Sequence, residues 1–393
     1  MTFIGSDAAA SARAPERTED FFAESSYSAW VRGTLRATKL HPDPAVLYGS
    51  SIGEPTAELM RLVREAFSAR LTSRYISVFS DGNRFVADAI CARYRVRPEE
   101  VVTTTGVTSA LSMILRALVA PGDQVLIEQP GFDLLSSLAR EAGAEVVPLL
   151  RRAPDFRIDP AALAESLTPR TRVVIVTNLH NPSGAHLTPD DIRKLALMAG
   201  NAGAILVVDE VYADFLRPVY SSPAATLAPN IVSANSLTKV FGLHALKCGW
   251  MIGAPELLNR IQAHSAEGDV GISKLSHAVA AHVLESAAVF DAHWRDILGA
   301  ARPVMEKHAR AMIADGLIEG DIPEFGCMYF PKIRQTRDTI RLARELWERF
   351  GVLVAPGEYF GIPGYIRIGF GTDPAELDEG LGRLHRALTA LRA

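Results

Sequence analysis

The stretch Ala204-Ile-Leu-Val-Val-Asp-Glu-Val-Tyr212 decides the fold. Five small or branched apolar residues run without alternation into an acid, the pattern of a strand buried on both faces. Working outward, further strand-like runs are predicted at Val101–Thr105, Gln124–Gln129, Glu145–Leu149, Arg172–Thr177 and Ile231–Asn235. Amphipathic helical segments lie between most of them, at Thr108–Val119, Phe132–Ala142, Pro160–Ser166 and Pro189–Asn201. Buried strands alternating with helices predict an α/β fold with a mostly parallel central sheet covered on both faces. Cys248–Ile252 follows a loop instead of a crossover helix and is expected to pair antiparallel.

The flanks alternate less regularly. Ser26–Thr38 reads as a helix, and Gly49–Pro55 as a loop feeding a second one. Beyond the sheet come helices at Val289–Asp315, Thr336–Phe350 and Pro374–Leu391, with strands at Gly326–Pro331, Val352–Ala355 and Tyr365–Phe370. This predicts a large domain over 56–284 and a small α+β domain from both chain ends, 19–55 and 285–393. An Ala/Ser-rich arm over 1–18 precedes them and lacks the apolar core of a secretion signal.

Composition narrows the function classes. The 393 residues are 48% apolar and 22% charged with a net charge of −4, and no Lys/Arg block stands out, so neither nucleic acid nor an acidic membrane surface is expected as a partner. Three scattered cysteines give no metal-type pair and point to a reducing, cytoplasmic setting without a metal. No glycine-rich nucleotide string of the usual spacing occurs.

The informative residues sit where strands end. Ser233-Ala-Asn-Ser-Leu-Thr-Lys239-Val-Phe-Gly leaves a strand and enters a loop. A lone lysine is ordinarily a solvated charge, but Lys239 comes after an apolar strand amid Ser and Thr. Asp209 closes another strand, where it could equally cap a helix beginning just beyond it. Asn178-Leu-His-Asn181-Pro-Ser-Gly184 leaves a third, and turn chemistry alone would account for it. Thr105-Gly-Val-Thr-Ser109 passes from strand to helix, where free N–H groups suit a phosphate.

In order and offset the set resembles the class I/II aminotransferases, enzymes of fold type I that depend on pyridoxal 5′-phosphate (PLP). The resemblance covers nearly the whole chain and rests on Asn181, Asp209, Tyr212, Ser236, Lys239, Lys247 and Arg367, the last within Tyr365-Ile-Arg-Ile-Gly-Phe-Gly371. It implies that Lys239 is the catalytic residue, holding PLP as a Schiff base and shuttling a proton as base and acid. Asp209 would pair with the pyridine nitrogen, Asn181 and Tyr212 with the phenolic oxygen, and Phe132 would stack on the ring. Val107, Thr108 and Ser236 would take the phosphate, joined by Tyr75 from the neighbouring subunit of a homodimer. Arg367 would clamp the substrate α-carboxylate, with Asn181 and Gly53 lining the same pocket.

Two departures stand out. Lys247 occupies the place where the family usually has an arginine forked onto the phosphate, and His244-Ala245 replaces a small residue and a glycine. The resemblance implies transfer of an amino group between an amino acid and a 2-oxo acid. A C–S β-lyase shares the same residues, because PLP stabilises the carbanion common to both. A non-catalytic ligand-sensing relative would need an N-terminal DNA-binding segment, and the roughly fifty residues before the core carry no such basic pattern. A plain nucleotide-binding Rossmann enzyme leaves Lys239, Asp209 and Arg367 unexplained. The stretches Tyr48–Ile52 and Gly268–Ser276 are expected to line the pocket. Apart from Lys274 they offer no second cation, which favours neutral or aromatic substrates over dicarboxylic ones.

Overall fold

The computed structural model describes residues 20–68, 72–75, 82–264 and 272–392. The expected arm over 1–18 and residues 268–271 of the expected pocket segment lie outside the described residues.

An eight-stranded sheet forms the centre. Its strands run, edge to edge, Val101–Thr104, Gly249–Gly253, Ile231–Ser236, Ile205–Asp209, Thr171–Thr177, Gln124–Gln129, Glu145–Arg152 and Arg157–Ile158. The five from Ile231–Ser236 to Glu145–Arg152 are mutually parallel. Gly249–Gly253 is antiparallel to both its neighbours, as its loop connection predicts. The strand residues divide between two cores by strict alternation. Val173, Ile175, Val207 and Val232 pack with the helix Gly106–Leu118 on one face. Val174, Val176, Leu206 and Val208 pack with Pro189–Asn201 on the other. That second helix is started by Thr188, whose hydroxyl accepts the Asp191 N–H while the Asp191 carboxylate takes the Thr188 N–H.

Chain ends build a second layer. Ala45–Val46 pairs in parallel with Val352–Leu353, tying the N-terminal segment to the C-terminal one. Ile366–Gly369 lies between Met328–Tyr329 and Ala355–Pro356. Helices Ala287–Ala314, Thr339–Phe350 and Pro374–Arg392 surround them. The strand expected over Gly326–Pro331 shrinks to Met328–Tyr329 because Gly326 turns the chain with φ +83°. The strand expected over Val352–Ala355 splits in two. Helices Arg84–Tyr94 and Lys274–Glu285 carry weak sequence periodicity, and with Pro255–Ala263 they appear only in the fold.

Two close backbone crossings fix the segment 49–53. A Cβ on Gly369 would lie 1.9 Å from the Gly49 carbonyl oxygen, so only glycine lets these strands touch. On the other side the Ile52 N–H donates to the Lys239 carbonyl at 3.1 Å. Gly242 (φ +70°) approaches so closely that a Cβ would sit 2.8 Å from the Ile52 oxygen. Segment 49–53 is therefore clamped between the Lys239 loop and the strand that carries Arg367.

Candidate active site

The site lies at the carboxyl ends of the parallel strands, where a doubly wound sheet opens a crevice. Asp209 and Thr177 end neighbouring strands in register, and Ser236 ends the next strand along. Three residues past Ser236, Lys239 extends its amine to within 3.3 Å of the Ser50 hydroxyl. Ser50 also shares a hydrogen bond with Tyr212, whose ring centre is 5.9 Å from the lysine nitrogen. Burial lowers the Lys239 amine to about 8, and the positive charge of Arg367 adds to the effect. Burial raises the Asp209 carboxyl to about 7, against a hydrogen bond from the Val211 N–H. An amine easier to deprotonate than an ordinary lysine, beside a carboxyl poised to share a proton, suits a Schiff-base lysine and its pyridine partner.

A phosphate cradle adjoins this pair. The helix Gly106–Leu118 begins with Gly106 at φ +79°, and no atom lies within 4 Å of where its Cβ would be. Val107 is half-buried and Thr108 exposed in the same first turn. Gly249, paired with Ser236, approaches Gly106 so closely that a Cβ would be 2.5 Å from the Gly106 carbonyl carbon. The helix start and the end of the Ser236 strand thus adjoin, with the N–H groups of the first helical turn as donors. Lys247 is exposed two residues before Gly249, in the left-handed region at φ +47°, and its charge is felt at Lys239 and His244. His244 turns away to meet the Ser51 hydroxyl at 3.0 Å.

The opposite wall is built around Arg367, which is fully buried. Its Nη1 donates to the Asn181 side-chain oxygen at 2.8 Å, and its Nη2 donates to the Tyr48 carbonyl at 2.9 Å and to the Tyr27 hydroxyl. Its Nε is buried without a partner. The rings of Tyr27 and Phe360 each lie 4.9 Å from the guanidinium carbon. Phe132 meets Tyr27 edge-on at 5.9 Å. Cys327 is buried here as well; burial lifts its thiol to about 12 while Lys239 and Arg367 pull it down.

Lys239, Asp209, Tyr212, Asn181 and Arg367 therefore come together in one cluster, which Phe132 joins through Tyr27. Gly53 lies just behind it, its N–H donating to the Gly371 carbonyl at 2.8 Å. Tyr75 does not join them: it is 40% exposed, on a segment where Thr72 meets His282 at 2.5 Å and Arg74 pairs with Glu285 at 2.7 Å. Lys274 heads the helix Lys274–Glu285. Sequence reasoning did not find Tyr27. It marked the stretch holding Tyr48 and Ser50 without singling out either residue. None of the three stands at a strand end; only the packing of distant segments brings them in.

The residues fit PLP. The cradle at Gly106 is open, Asp209 can share a proton with a ring nitrogen, and the lysine amine is near neutrality. Comparison with known proteins agrees. Residues 49–384 match the family model for aminotransferase class I and II. The chain belongs to that family, and its cofactor is PLP. It is 33% identical over 317 residues to capreomycidine synthase of Streptomyces vinaceus, covering 78% of this chain and 79% of that protein. It is 25% identical to aspartate/prephenate aminotransferase of Thermus thermophilus over 92% of this chain and 96% of that one. The solved structure of the PLP-dependent cyclase OrfR superposes with a TM-score of 0.79 at 29% identity, over 91% of this chain and 96% of that one. Aspartate aminotransferase of Thermus thermophilus with maleate shares the fold, with a TM-score of 0.82 at 22% identity over 95% of this chain and all of that one. Among the described residues no helix is long and apolar enough to cross a membrane, and no side-chain cluster suits a metal ion.

Proposed function

We propose that the protein is an aminotransferase moving the amino group of a neutral or aromatic α-amino acid to PLP and on to a 2-oxo acid. One observation supports this reading: the buried Arg367, with its Nε unengaged, lies close enough to Lys239 for its charge to lower that amine, which stands at about 8. A single guanidinium suits one α-carboxylate. The aromatic rings of Tyr27, Phe132 and Phe360 suit a side chain without charge.

When bound, PLP supplies the electron sink that makes the α-proton acidic. The chain's own residues do the rest. Lys239 holds the cofactor and moves the α-proton at its Nζ, a role that an amine near 8 serves at neutral pH. Asp209 keeps a proton on the ring nitrogen. Asn181 is oriented by Arg367, whose Nη1 occupies its oxygen and turns its amide NH2 towards the phenolic oxygen. Tyr212 donates to that oxygen too, and Phe132 stacks on the ring. Val107, Thr108, Ser236 and Lys247 take the phosphate, with Tyr75 of the partner subunit in a cytoplasmic homodimer. The division into 56–284 and a small domain from 19–55 and 285–393 belongs to the same proposal.

A second reading is elimination or ring closure without net transamination, the group that includes a β-lyase. It is supported by the likeness to a synthase, 33% identical, and to a cyclase, 29% identical, which stand beside aminotransferases of up to 34% identity over a shorter span. A screen of amino donors without any oxo acid separates the two. Transamination converts the visible band of the bound cofactor to that of its amine form and stops at one oxo acid per site. Elimination or ring closure turns over repeatedly and leaves the band as it began. Strong preference for aspartate in the same screen would overturn the neutral-substrate reading.

A further inference from the structure

Beneath the site lies an ion pair that the roles above leave unused. Glu128, in the strand Gln124–Gln129, meets Arg151 of the adjacent strand at 2.7 Å, and both side chains are wholly buried. The second Glu128 oxygen accepts the Thr177 N–H at 2.9 Å and the Thr177 hydroxyl. With its proton committed to Glu128, that hydroxyl accepts the Asn181 N–H at 3.1 Å. The Asn181 side-chain oxygen in turn accepts from Arg367. An unbroken hydrogen-bond chain thus runs Arg151–Glu128–Thr177–Asn181–Arg367. Thr177 is also the strand partner of Asp209. Arg151 is anchored by its Nε, which donates to the Phe156 carbonyl at 2.6 Å.

We propose that Glu128 and Arg151 are positioning residues for the cofactor: they hold Thr177 and Asn181 in place and keep the net charge under the pyridine ring at zero. A buried pair of this kind is a poor source of stability, because desolvation consumes most of its attraction. Its value here is geometric and electrostatic. The charge of Glu128 reaches Asp209 and opposes ionisation there. Arg151 offsets it, and also helps keep the nearby His180 neutral. The groups facing Lys239 are Arg367, Cys327, Asp209, Lys247 and His244, none of which the test substitutes.

The inference rests on Lys239 carrying PLP, and its test separates the two ideas. The holoenzymes of Glu128→Gln, Arg151→Met and the double variant are titrated by the visible absorption of bound cofactor, with thermal unfolding as the control for folding. Glu128→Gln leaves an uncompensated cation, because arginine does not shed its proton. The midpoint should fall by about one pH unit. Arg151→Met either leaves the carboxylate charged or lets it take a proton, so its midpoint rises or stays. The double variant, uncharged and close in volume, should fold and return to the wild-type midpoint. Midpoints moving the same way in both single variants, or an unmoved Glu128→Gln, overturn the inference. A wild type without any visible cofactor band would instead overturn the assignment of Lys239.

Discussion

The hydroxyl of Tyr27 rests on Nη2 of Arg367, across 340 residues of sequence, with its ring 4.9 Å from the guanidinium carbon. The Tyr27 N–H is held by the Asp133 carboxylate at 2.8 Å, one residue past Phe132. Tyr27 therefore sits on the nitrogen that a bidentate carboxylate needs. Removing only the hydroxyl, in Tyr27→Phe, should lower KM for α-amino acids by about two- to tenfold, the worth of one net hydrogen bond. Tyr27→Ala also loses the ring that covers the cation and should raise KM instead. An amine lacking the carboxylate should respond to neither change.

Lys239→Ala should lose the borohydride-reducible link to PLP while keeping its circular dichroism spectrum. Its activity should fall by at least roughly 100-fold through loss of the proton carrier. A variant that still turned over at the wild-type rate would remove Lys239 from the chemistry.

Without cofactor, Asp209 and Glu210 should each take stability away as pH rises between about 4 and about 7, while His180 and His277, held below the ordinary 6.5 by burial, give stability over the same rise. Burial lifts Asp209 from its ordinary 3.8 and Glu210 from 4.5, both to about 7. Over that window these two carboxyls hold more protons in the folded form than in the unfolded one. The stability these groups give is full at the acid end and gone above pH 7. Thermal unfolding of the apoprotein beside its Asp209→Asn variant isolates the Asp209 share: the stability of the variant relative to the wild type should rise with pH across that window. Added PLP gives Asp209 a cationic partner, so its stabilising effect should be larger at pH 8 than at pH 5.

Lys247→Arg should slow PLP dissociation several-fold, because a guanidinium can fork onto the phosphate where an ammonium acts as a point charge. Lys247 is exposed beside the Gly106–Gly249 crossing, so the larger head has room. Release of cofactor during dialysis measures it, and no change would show that Lys247 stands off the phosphate.

The sequence by itself determined the sheet and the residues at its strand ends. Unbroken apolar runs such as Ile205–Asp209 and Thr171–Thr177 can be satisfied only by burial on both faces. The candidate site residues Asn181, Asp209, Tyr212 and Lys239 come within a few positions of the ends of such runs, so local pattern exposes them. Arg367 was legible only through its resemblance to a family motif. Tertiary structure alone decided the rest. Ser50 reaches Lys239 over 189 residues, because Gly369 and Gly242 let three backbones touch around it. Glu128 and Arg151 look like ordinary strand residues until their strands align and bring the two charges together in the interior. Hydrophobic periodicity is a local property of the chain. Which polar groups meet in the interior depends on strand register and on helices docked from far away, and no local pattern encodes that.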